Sequence, residues 1–319
     1  MAKPSTKQTT SQTDTPTPTP TPTSTTTSTN LVKMHEIIPS GIVGTAEYGI
    51  IGYGVVGKAI AAGFDRNAVN AWVLDTKTHP VVVPTTVHQA KAIFVCVNTP
   101  AKNGRYDITN LKNALYDLEC LKYSGVVIIV STMGVNEYRE IKNYFGKSLR
   151  MVVCPEFLTA ENAEEDFYFQ RNVIYGPWIS PKADAIVREA LTDCKDCGIT
   201  FTRKSAEECV LIKTGKNLTL FLKLIAANLV YAEATHHYLT SKQAQDIVNF
   251  IHDDPRLKSE KPYHKVGCHE GTLGVAGTCL PKDAEGKTYS IDNKIVSDAF
   301  KALTRLNRLY FRQRVPYKI

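Results

Sequence analysis

The chain has 319 residues, of which 43% are hydrophobic and 22% are charged, as in soluble globular proteins with a substantial core. Its formal net charge of +7 is modest, and domains that bind nucleic acid cluster their basic residues more strongly, so we expect no nucleic-acid partner. We also expect no apolar run long enough to cross a bilayer, and the N-terminus lacks the apolar segment of a secretory signal, which favours a cytoplasmic protein.

Residues 1–45 form the first segment of distinct composition. Proline alternates with threonine from Thr15 to Thr23, a pattern that favours extended chain and cannot bury a core. We therefore interpret residues 1–45 as a disordered Thr/Pro-rich tail.

Strand and helix patterns alternate from about residue 46. Continuous β-branched runs, typical of buried strands in parallel sheets, occupy the segments 71–75, 92–97, 126–131 and 150–154. Helical patterns lie between them at 108–121 and 135–145. This alternation predicts an α/β fold, with a doubly wound Rossmann-type parallel sheet in a domain of residues 46–204.

A long central helix is predicted next, and Ser205 and Glu208 form the S-x-x-E pattern of a capping box at its start. The helix is apolar nearly all round, which predicts burial inside the fold or against a partner subunit, and hence a homodimer or a higher homo-oligomer. Loops are predicted after about residue 245, as far as "GTCLPKD", followed by a basic helical segment at 301–314. We predict residues 205–319 as a second, helical domain that carries this cysteine loop.

Eight cysteines in a chain of this length do not indicate a disulfide framework. Cys194 and Cys197 have the C-x-x-C spacing of zinc ligands, but a structural zinc site needs two further ligands with similar spacing. Cys268 and His269 are the one remote candidate, so we predict no metal site.

The segment "GYGVVG" supplies Gly52, Gly54 and Gly57, the G-x-G-x-x-G pattern of a dinucleotide-binding turn. It follows a predicted strand, opens a helix, and is followed after about 20 residues by Asp75 at the end of the next strand. A carboxylate there binds ribose hydroxyls and repels a 2′-phosphate. The pattern therefore predicts NAD as the cofactor; the alternative is a tight strand–helix turn without a ligand.

Two further groups of residues indicate chemistry. Cys279 lies between a glycine-rich approach and a stiff, charged exit through Pro281, which favours a nucleophile over the usual role of a free cysteine as a small core hydrophobe. Lys213 and Asn217 are four positions apart and share one face of the long apolar helix, where a cation and an amide can stabilise a developing alkoxide. The alternative for Lys213 is an ammonium that reaches the surface.

Five segments in order, "GYGVVG", "VNTP", "VST", "CPEFLTAENA" and "GTCLPKD", together with the K-x-x-x-N pair of the long helix, give the chain a family resemblance. From about residue 47 to 290 it resembles the UDP-glucose/GDP-mannose dehydrogenase family. The resemblance implies two successive NAD-dependent oxidations of a sugar-nucleotide alcohol to a carboxylate. A thiolate adds to the intermediate aldehyde, oxidation gives a thioester, and water hydrolyses it.

The resemblance also implies roles for individual residues. Catalytic roles are expected for Cys279, Lys213, Asn217, Asp283, Glu156 and Thr132. Cofactor contacts are expected for Gly52, Tyr53, Gly54, Val55, Val56, Gly57, Asp75, Lys77, Thr99, Thr132 and Lys282. Substrate contacts are expected for Glu156, Phe157, Leu158, Lys213, Asn217, Arg256 and Gly274, with Arg256 reaching a neighbouring subunit's site or lying in a surface loop.

The sequence departs from the family pattern at Ala276, where glycine is usual, and at Ala160, where glutamate is common. The chain also extends only 36 residues beyond Asp283, so we expect a short form without the second α/β domain that grips the nucleotide. UDP-glucose is the expected substrate. GDP-mannose, a simple alcohol oxidation without a covalent step, and a non-catalytic sugar-nucleotide or NAD-binding remnant are the alternatives.

Overall fold

The computed structural model describes residues 46–76, 87–258, 266 and 273–311. In chain order its strands are β1 (Tyr48–Ile51), β2 (Ala71–Leu74), β3 (Ala92–Val95), β4 (Ala101–Lys102), β5 (Arg105–Tyr106), β6 (Val126–Ile129), β7 (Arg150–Val153), β8 (Asn172–Tyr175) and β9 (Thr200–Arg203). Its α-helices are α1 (Val55–Arg66), α2 (Thr109–Cys120), α3 (Val135–Phe145), α4 (Ala163–Tyr168), α5 (Pro181–Asp193), α6 (Ala206–His236), α7 (Ser241–His252), α8 (Cys279–Gly286) and α9 (Lys294–Arg305).

A parallel sheet with the strand order β2-β1-β3-β6-β7 forms the centre of the first half of the fold. The chain leaves β1 in one direction to β2 and returns on its other side to β3, so the order reverses between β1 and β3. Ligands of open α/β sheets bind outside the carboxyl ends of the strands at such a reversal. The predicted doubly wound α/β fold is confirmed, and it places a binding crevice at the ends of β1 and β3.

Successive side chains of each strand point to opposite faces of the sheet, and both faces are covered. In β6, Val127 and Ile129 join the core beneath α2 and α3, whereas Val126 and Ile128 join the core beneath α1 and α5. Two covered faces explain the continuous apolar runs of β1, β3 and β6, because every residue of these three strands is buried.

Helix α6 joins the sheet region to the helical region that follows it. Ser205 and Glu208 form the predicted capping box, with the Glu208 N–H donating to Ser205 Oγ at 3.1 Å. Cys209 and Val210, in the first turns of α6, lie in the same core as β6, whereas Phe221 and the later turns lie in a third core with α7 and α8. The domain boundary near residue 204 stays a prediction.

By length and composition α6 could cross a membrane, since an 18-residue window has a mean hydropathy of 1.3. The expectation that no apolar run has this length is therefore wrong. In the fold α6 packs against α3, α7 and α8, as the core helix of a globular domain does. Its buried polar residues Lys213 and Asn217 make side-chain contacts described below.

Three predictions about the second half need correction, and one about the N-terminus falls outside the described residues. Helix α7 extends to His252, where loops were predicted from about residue 245; a second capping box, between Thr240 and Gln243, begins it. "CLPKD" is the first turn of α8 rather than a loop, since a proline is tolerated in a first helical turn. Helix α9 begins seven residues before the predicted 301 and continues as a π-helical segment, Leu306–Phe311. The Thr/Pro tail lies outside the described residues.

Candidate active site

The turn between β1 and α1 has three glycines with three different surroundings. Gly52 has a φ of +96°, and a Cβ there would lie 2.8 Å from the carbonyl carbon of Cys96. A Cβ at Gly57 would lie 1.9 Å from the Gly52 carbonyl oxygen, so the helix can pack on the strand end only without a side chain. A Cβ at Gly54 would have no atom within 4 Å, which leaves its backbone open to a ligand at the N-terminus of α1.

Asp75, immediately after β2, lies beside this turn. Its carboxylate accepts a hydrogen bond of 2.8 Å from the Tyr53 backbone N–H. The remaining predicted contacts of the turn, Val55 and Val56, are the first two residues of α1, and Lys77 lies outside the described residues. The open backbone at Gly54 and the acid beside it fit a bound dinucleotide with free ribose hydroxyls.

Thr99 and Thr132 connect the loops that follow β3 and β6. The buried Thr99 hydroxyl donates to the Thr132 carbonyl oxygen at 2.5 Å. Ser131 Oγ donates to the Val97 carbonyl oxygen at 2.8 Å and holds the same two loops together. Both predicted residues therefore lie at the carboxyl edge of the sheet, where the glycine turn also lies.

Glu156 and Lys213 form an ion pair although they are 57 positions apart in sequence. Lys213 Nζ lies 2.9 Å from Glu156 Oε1, and the two side chains are only 8% and 12% exposed. Glu156 Oε2 accepts from the Leu158 N–H at 2.7 Å, so both carboxylate oxygens have a donor. The Phe157 ring lies 5.7 Å from the Lys213 ammonium. The "PEFL" segment thus meets the polar face of α6.

Asn217, one turn further along α6, meets helix α8. Its Nδ2 donates to Asp283 Oδ2 at 2.6 Å, and Asp283 is fully buried. The Lys282 ammonium lies 2.8 Å from Asp283 Oδ1 as an ion pair without the alignment of a hydrogen bond. Charge on Asp283 is therefore compensated inside the fold by one amide and one ammonium, as a buried carboxylate requires.

Cys279 is the first residue of α8 and is exposed. It lies four positions before Asp283, so both side chains share one face of the helix, the face that meets α6 at Asn217. Burial raises the pKa of three other thiols, Cys154, Cys194 and Cys209, to about 12. Those thiols stay protonated at neutral pH and cannot act as nucleophiles, whereas Cys279 is open to a reactant.

The chain that leads to Cys279 is held in place at Gly274. Gly274 has a φ of +85° and is buried, and its N–H donates to Asn228 Oδ1 of α6 at 2.7 Å. A Cβ there would lie 2.6 Å from Asn307 Oδ1, so Gly274 serves close packing here and its contact with a substrate stays a prediction. Ala276 is also buried, so its methyl group points into the protein. Gly277 has a φ of +78° and open space around it.

Arg256 is not brought to the polar face of α6. Its side chain is 87% exposed and pairs with Asp254 on the same turn, with Nε 3.0 Å from Asp254 Oδ1. A role for Arg256 in a neighbouring subunit's site stays a prediction.

Ala160, where the sequence departs from the family pattern, is exposed.

Sequence reasoning missed two residues that shape this site. Asn228 lies eleven positions, or about three turns, after Asn217 on the same face of an apolar helix. This spacing could have marked Asn228 as a second functional amide. Tyr106 lies in the β4–β5 hairpin and is 4% exposed against α8. No local pattern marks Tyr106, because its partners are about 177 positions away.

Comparisons with known proteins agree with this geometry. Residues 67–191 match the model described as UDP-glucose/GDP-mannose dehydrogenase family, NAD binding domain. A UDP-glucose 6-dehydrogenase of Rickettsia bellii is 27% identical over 224 residues, which cover 68% of this chain and 49% of the relative. The chain spans about half the length of the curated relatives it matches. The predicted family resemblance and NAD as cofactor are confirmed.

Two solved structures show the same fold. A UDP-glucose dehydrogenase from the archaeon Pyrobaculum islandicum has a TM-score of 0.63 at 20% identity, and the match covers 84% of this chain and 70% of that one. A 3-hydroxyisobutyrate dehydrogenase from Mycobacterium tuberculosis has a TM-score of 0.57 at 14% identity, and the match covers 84% of this chain and 95% of that one.

Proposed function

We propose that this chain, whose residues 67–191 match the model of the NAD binding domain of the UDP-glucose/GDP-mannose dehydrogenase family, oxidises a sugar-nucleotide primary alcohol to the carboxylate. UDP-glucose is the proposed substrate, supported by the curated relatives, which carry the name UDP-glucose 6-dehydrogenase. Since α6 contributes its polar face to the site, we place the enzyme in the cytoplasm rather than in a membrane.

One observation carries the proposal. The Lys213–Glu156 pair and the Asn217–Asp283 pair lie one turn apart on α6, and the exposed thiol of Cys279 opens the helix that carries Asp283. A cation, an amide and two carboxylates joined in two pairs, with a thiol one helical turn before one of the carboxylates, are the groups that a covalent oxidation of an aldehyde requires.

NAD held at the turn of Gly52, Gly54 and Gly57 would supply the hydride acceptor for each of the two oxidations. In the first, Lys213 and Asn217 stabilise the alkoxide that forms when the alcohol loses its proton. The Cys279 thiolate then adds to the aldehyde carbon, forming a carbon–sulfur bond and a thiohemiacetal. The second oxidation gives a thioester. A water held by Asp283 or Glu156 attacks it, breaks the carbon–sulfur bond, and releases the carboxylate and the thiol.

The ratio of NADH to substrate tests the proposal. Purified protein incubated with NAD and a panel of sugar nucleotides should form two NADH for each UDP-glucose consumed, and the product mass should be that of the acid. A better rate with GDP-mannose would replace the substrate but keep the reaction. No NADH with any sugar nucleotide would leave a non-catalytic binding protein and reject the proposal.

A single hydride transfer is the second candidate. It is favoured by the 3-hydroxyisobutyrate dehydrogenase structure, which this chain matches over 95% of that protein's length. Such a reaction would use Lys213 and Asn217 without the thiol. One NADH for each substrate, with no loss of rate on alkylation of Cys279, would establish it.

We further propose that a second copy of the chain covers α6. Apolar side chains recur along its open face, with Leu211, Leu222 and Leu229 exposed to 54%, 39% and 46%. Exposed apolar stripes of this length mark association surfaces.

Leu222→Arg should therefore convert a dimer to monomer in sedimentation at micromolar concentration. Tyr144→Arg, on the exposed face of α3, is the matched control. Wild-type protein that sediments only as a monomer would contradict the proposal.

A further inference from the structure

The β4–β5 hairpin connects the cofactor side of the site to α8. It begins two positions after Thr99, which is bonded to Thr132 at the sheet edge. At its far end the Gly104 carbonyl oxygen accepts from the Tyr289 N–H at 3.3 Å, just beyond α8. A Cβ at Gly104 would lie 2.7 Å from the Tyr289 ring. The hairpin and the end of α8 are therefore in direct contact.

Tyr106, the last residue of β5, lies under the first two turns of α8. Its ring is 5.3 Å from the Lys282 ammonium, and its hydroxyl donates to the Asp283 carbonyl oxygen at 3.4 Å. A Cβ at Gly286 would lie 2.6 Å from Tyr106 Cε2. Lys282 and Gly286 are one helical turn apart, so a single buried ring sets the height of α8 above the hairpin.

The hydroxyl remains a donor at neutral pH. Burial, with the charge of Asp283 beside it, raises the pKa of Tyr106 well above its ordinary value. The hydroxyl donates to the backbone of Asp283 and lies beside its carboxylate, which accepts from Asn217. Tyr106 therefore contacts α8 at Asp283 itself, and its ring supports the helix that carries this carboxylate.

We propose that Tyr106 is a positioning residue: its ring holds α8 at the height at which Asp283 meets Asn217 and Cys279 faces the reacting carbon. This inference rests on the function proposed above. It gives the hairpin a role in the reaction as the spacer between the cofactor edge of the sheet and the helix of the nucleophile.

Opposite changes in the packing of one contact test the inference. Tyr106→Ala removes the ring and lets α8 sink toward the hairpin, whereas Gly286→Ala adds a methyl group against the ring and lifts the helix. Each single variant should lower kcat by about tenfold with KM for NAD unchanged, because displacements of about 1 Å in a reacting group cost up to a hundredfold. The double variant should recover part of the loss, since the two displacements oppose each other. Tyr106→Phe, which keeps the ring, should stay near the wild-type rate.

Tyr123→Ala controls for the loss of stability, and the alkylation rate of Cys279 is a second measurement of the position of α8. Tyr123 is equally buried, and its hydroxyl donates to the Ala90 carbonyl oxygen at 3.0 Å near the opposite ends of the strands. Tyr123→Ala should lower the melting temperature as much as Tyr106→Ala does but leave kcat of the folded protein unchanged. The alkylation rate of Cys279, measured by peptide mass spectrometry against the exposed Cys120, should shift in both single variants and return toward wild type in the double variant.

Losses that add in the double variant, or an equal fall in kcat for Tyr123→Ala, would overturn the inference. The alkylation readout needs no substrate. If the wild type forms no NADH, the proposed function fails, while compensation in the alkylation rates would still support the packing role of Tyr106, and its absence would reject that role.

Discussion

Cys279→Ser should abolish carboxylate formation from UDP-glucose, with a loss on the order of a thousandfold or more, as when a covalent nucleophile is removed from other enzymes. A serine hydroxyl is far less ionised than a thiol near neutral pH and adds poorly to the aldehyde. The helix start should be unaffected, because the two side chains have the same shape and Cys279 is exposed. The measurement is product mass together with NADH yield.

Cys120→Ser is the matched control, because Cys120 is also exposed but lies at the end of α2, on an element that contributes no predicted site residue. This variant should leave the product mass and the NADH yield unchanged. Mass spectrometry of the quenched wild-type reaction should find the sugar nucleotide attached to the peptide that contains Cys279. Normal carboxylate production by Cys279→Ser would show that no covalent step through this thiol is needed.

Two substitutions in the turn between β1 and α1 should have different effects, one on NAD binding and one on stability. Gly54→Ala should weaken NAD binding by at least tenfold, or about 1.4 kcal/mol, while the melting temperature stays the same. The added methyl group meets no protein atom within 4 Å and so occupies the space left for the ligand. Titration calorimetry with NAD and a thermal melt of the same sample measure the two quantities.

Gly57→Ala gives the opposite pattern. Its Cβ would lie 1.9 Å from the Gly52 carbonyl oxygen, so the strand end and α1 must separate. Overpacking of this kind costs about 1–3 kcal/mol, which lowers the melting temperature by several degrees. If Gly54→Ala instead loses stability, or binds NAD as the wild type does, the glycine turn is a structural element and the cofactor binds elsewhere.

The sequence predicted the sheet region and the glycine turn after β1 well because their signals are local. The glycines, the apolar strands and the capping box at Ser205 each depend on residues within a few positions of one another. Lys213 and Asn217 could also be singled out as candidates from the sequence, since polar residues on an apolar helix are unusual.

The pairings within the site could not be read in the same way. Glu156 meets Lys213, and Asn217 meets Asp283, across 57 and 66 positions, and no local pattern encodes such distances. The helix at "CLPKD" was mistaken for a loop because glycines precede it and a proline lies inside it. Both are turn signals out of context, but a proline at the third position of a helix costs no internal hydrogen bond.

Helix α6 carries three polar side chains that reach three separate parts of the chain: Lys213 to Glu156, Asn217 to Asp283, and Asn228 to Gly274. Each residue advances an α-helix by about 100°, so one residue inserted or deleted between Asn217 and Asn228 would turn one amide away from its partner. The length of α6 between these positions is therefore fixed by the site, whereas the turns after Asn228 are held by packing, with Tyr231 and Ala234 in the core shared with α7. Among related sequences, gaps should be absent from residues 213–228 and accumulate in the connection to α7.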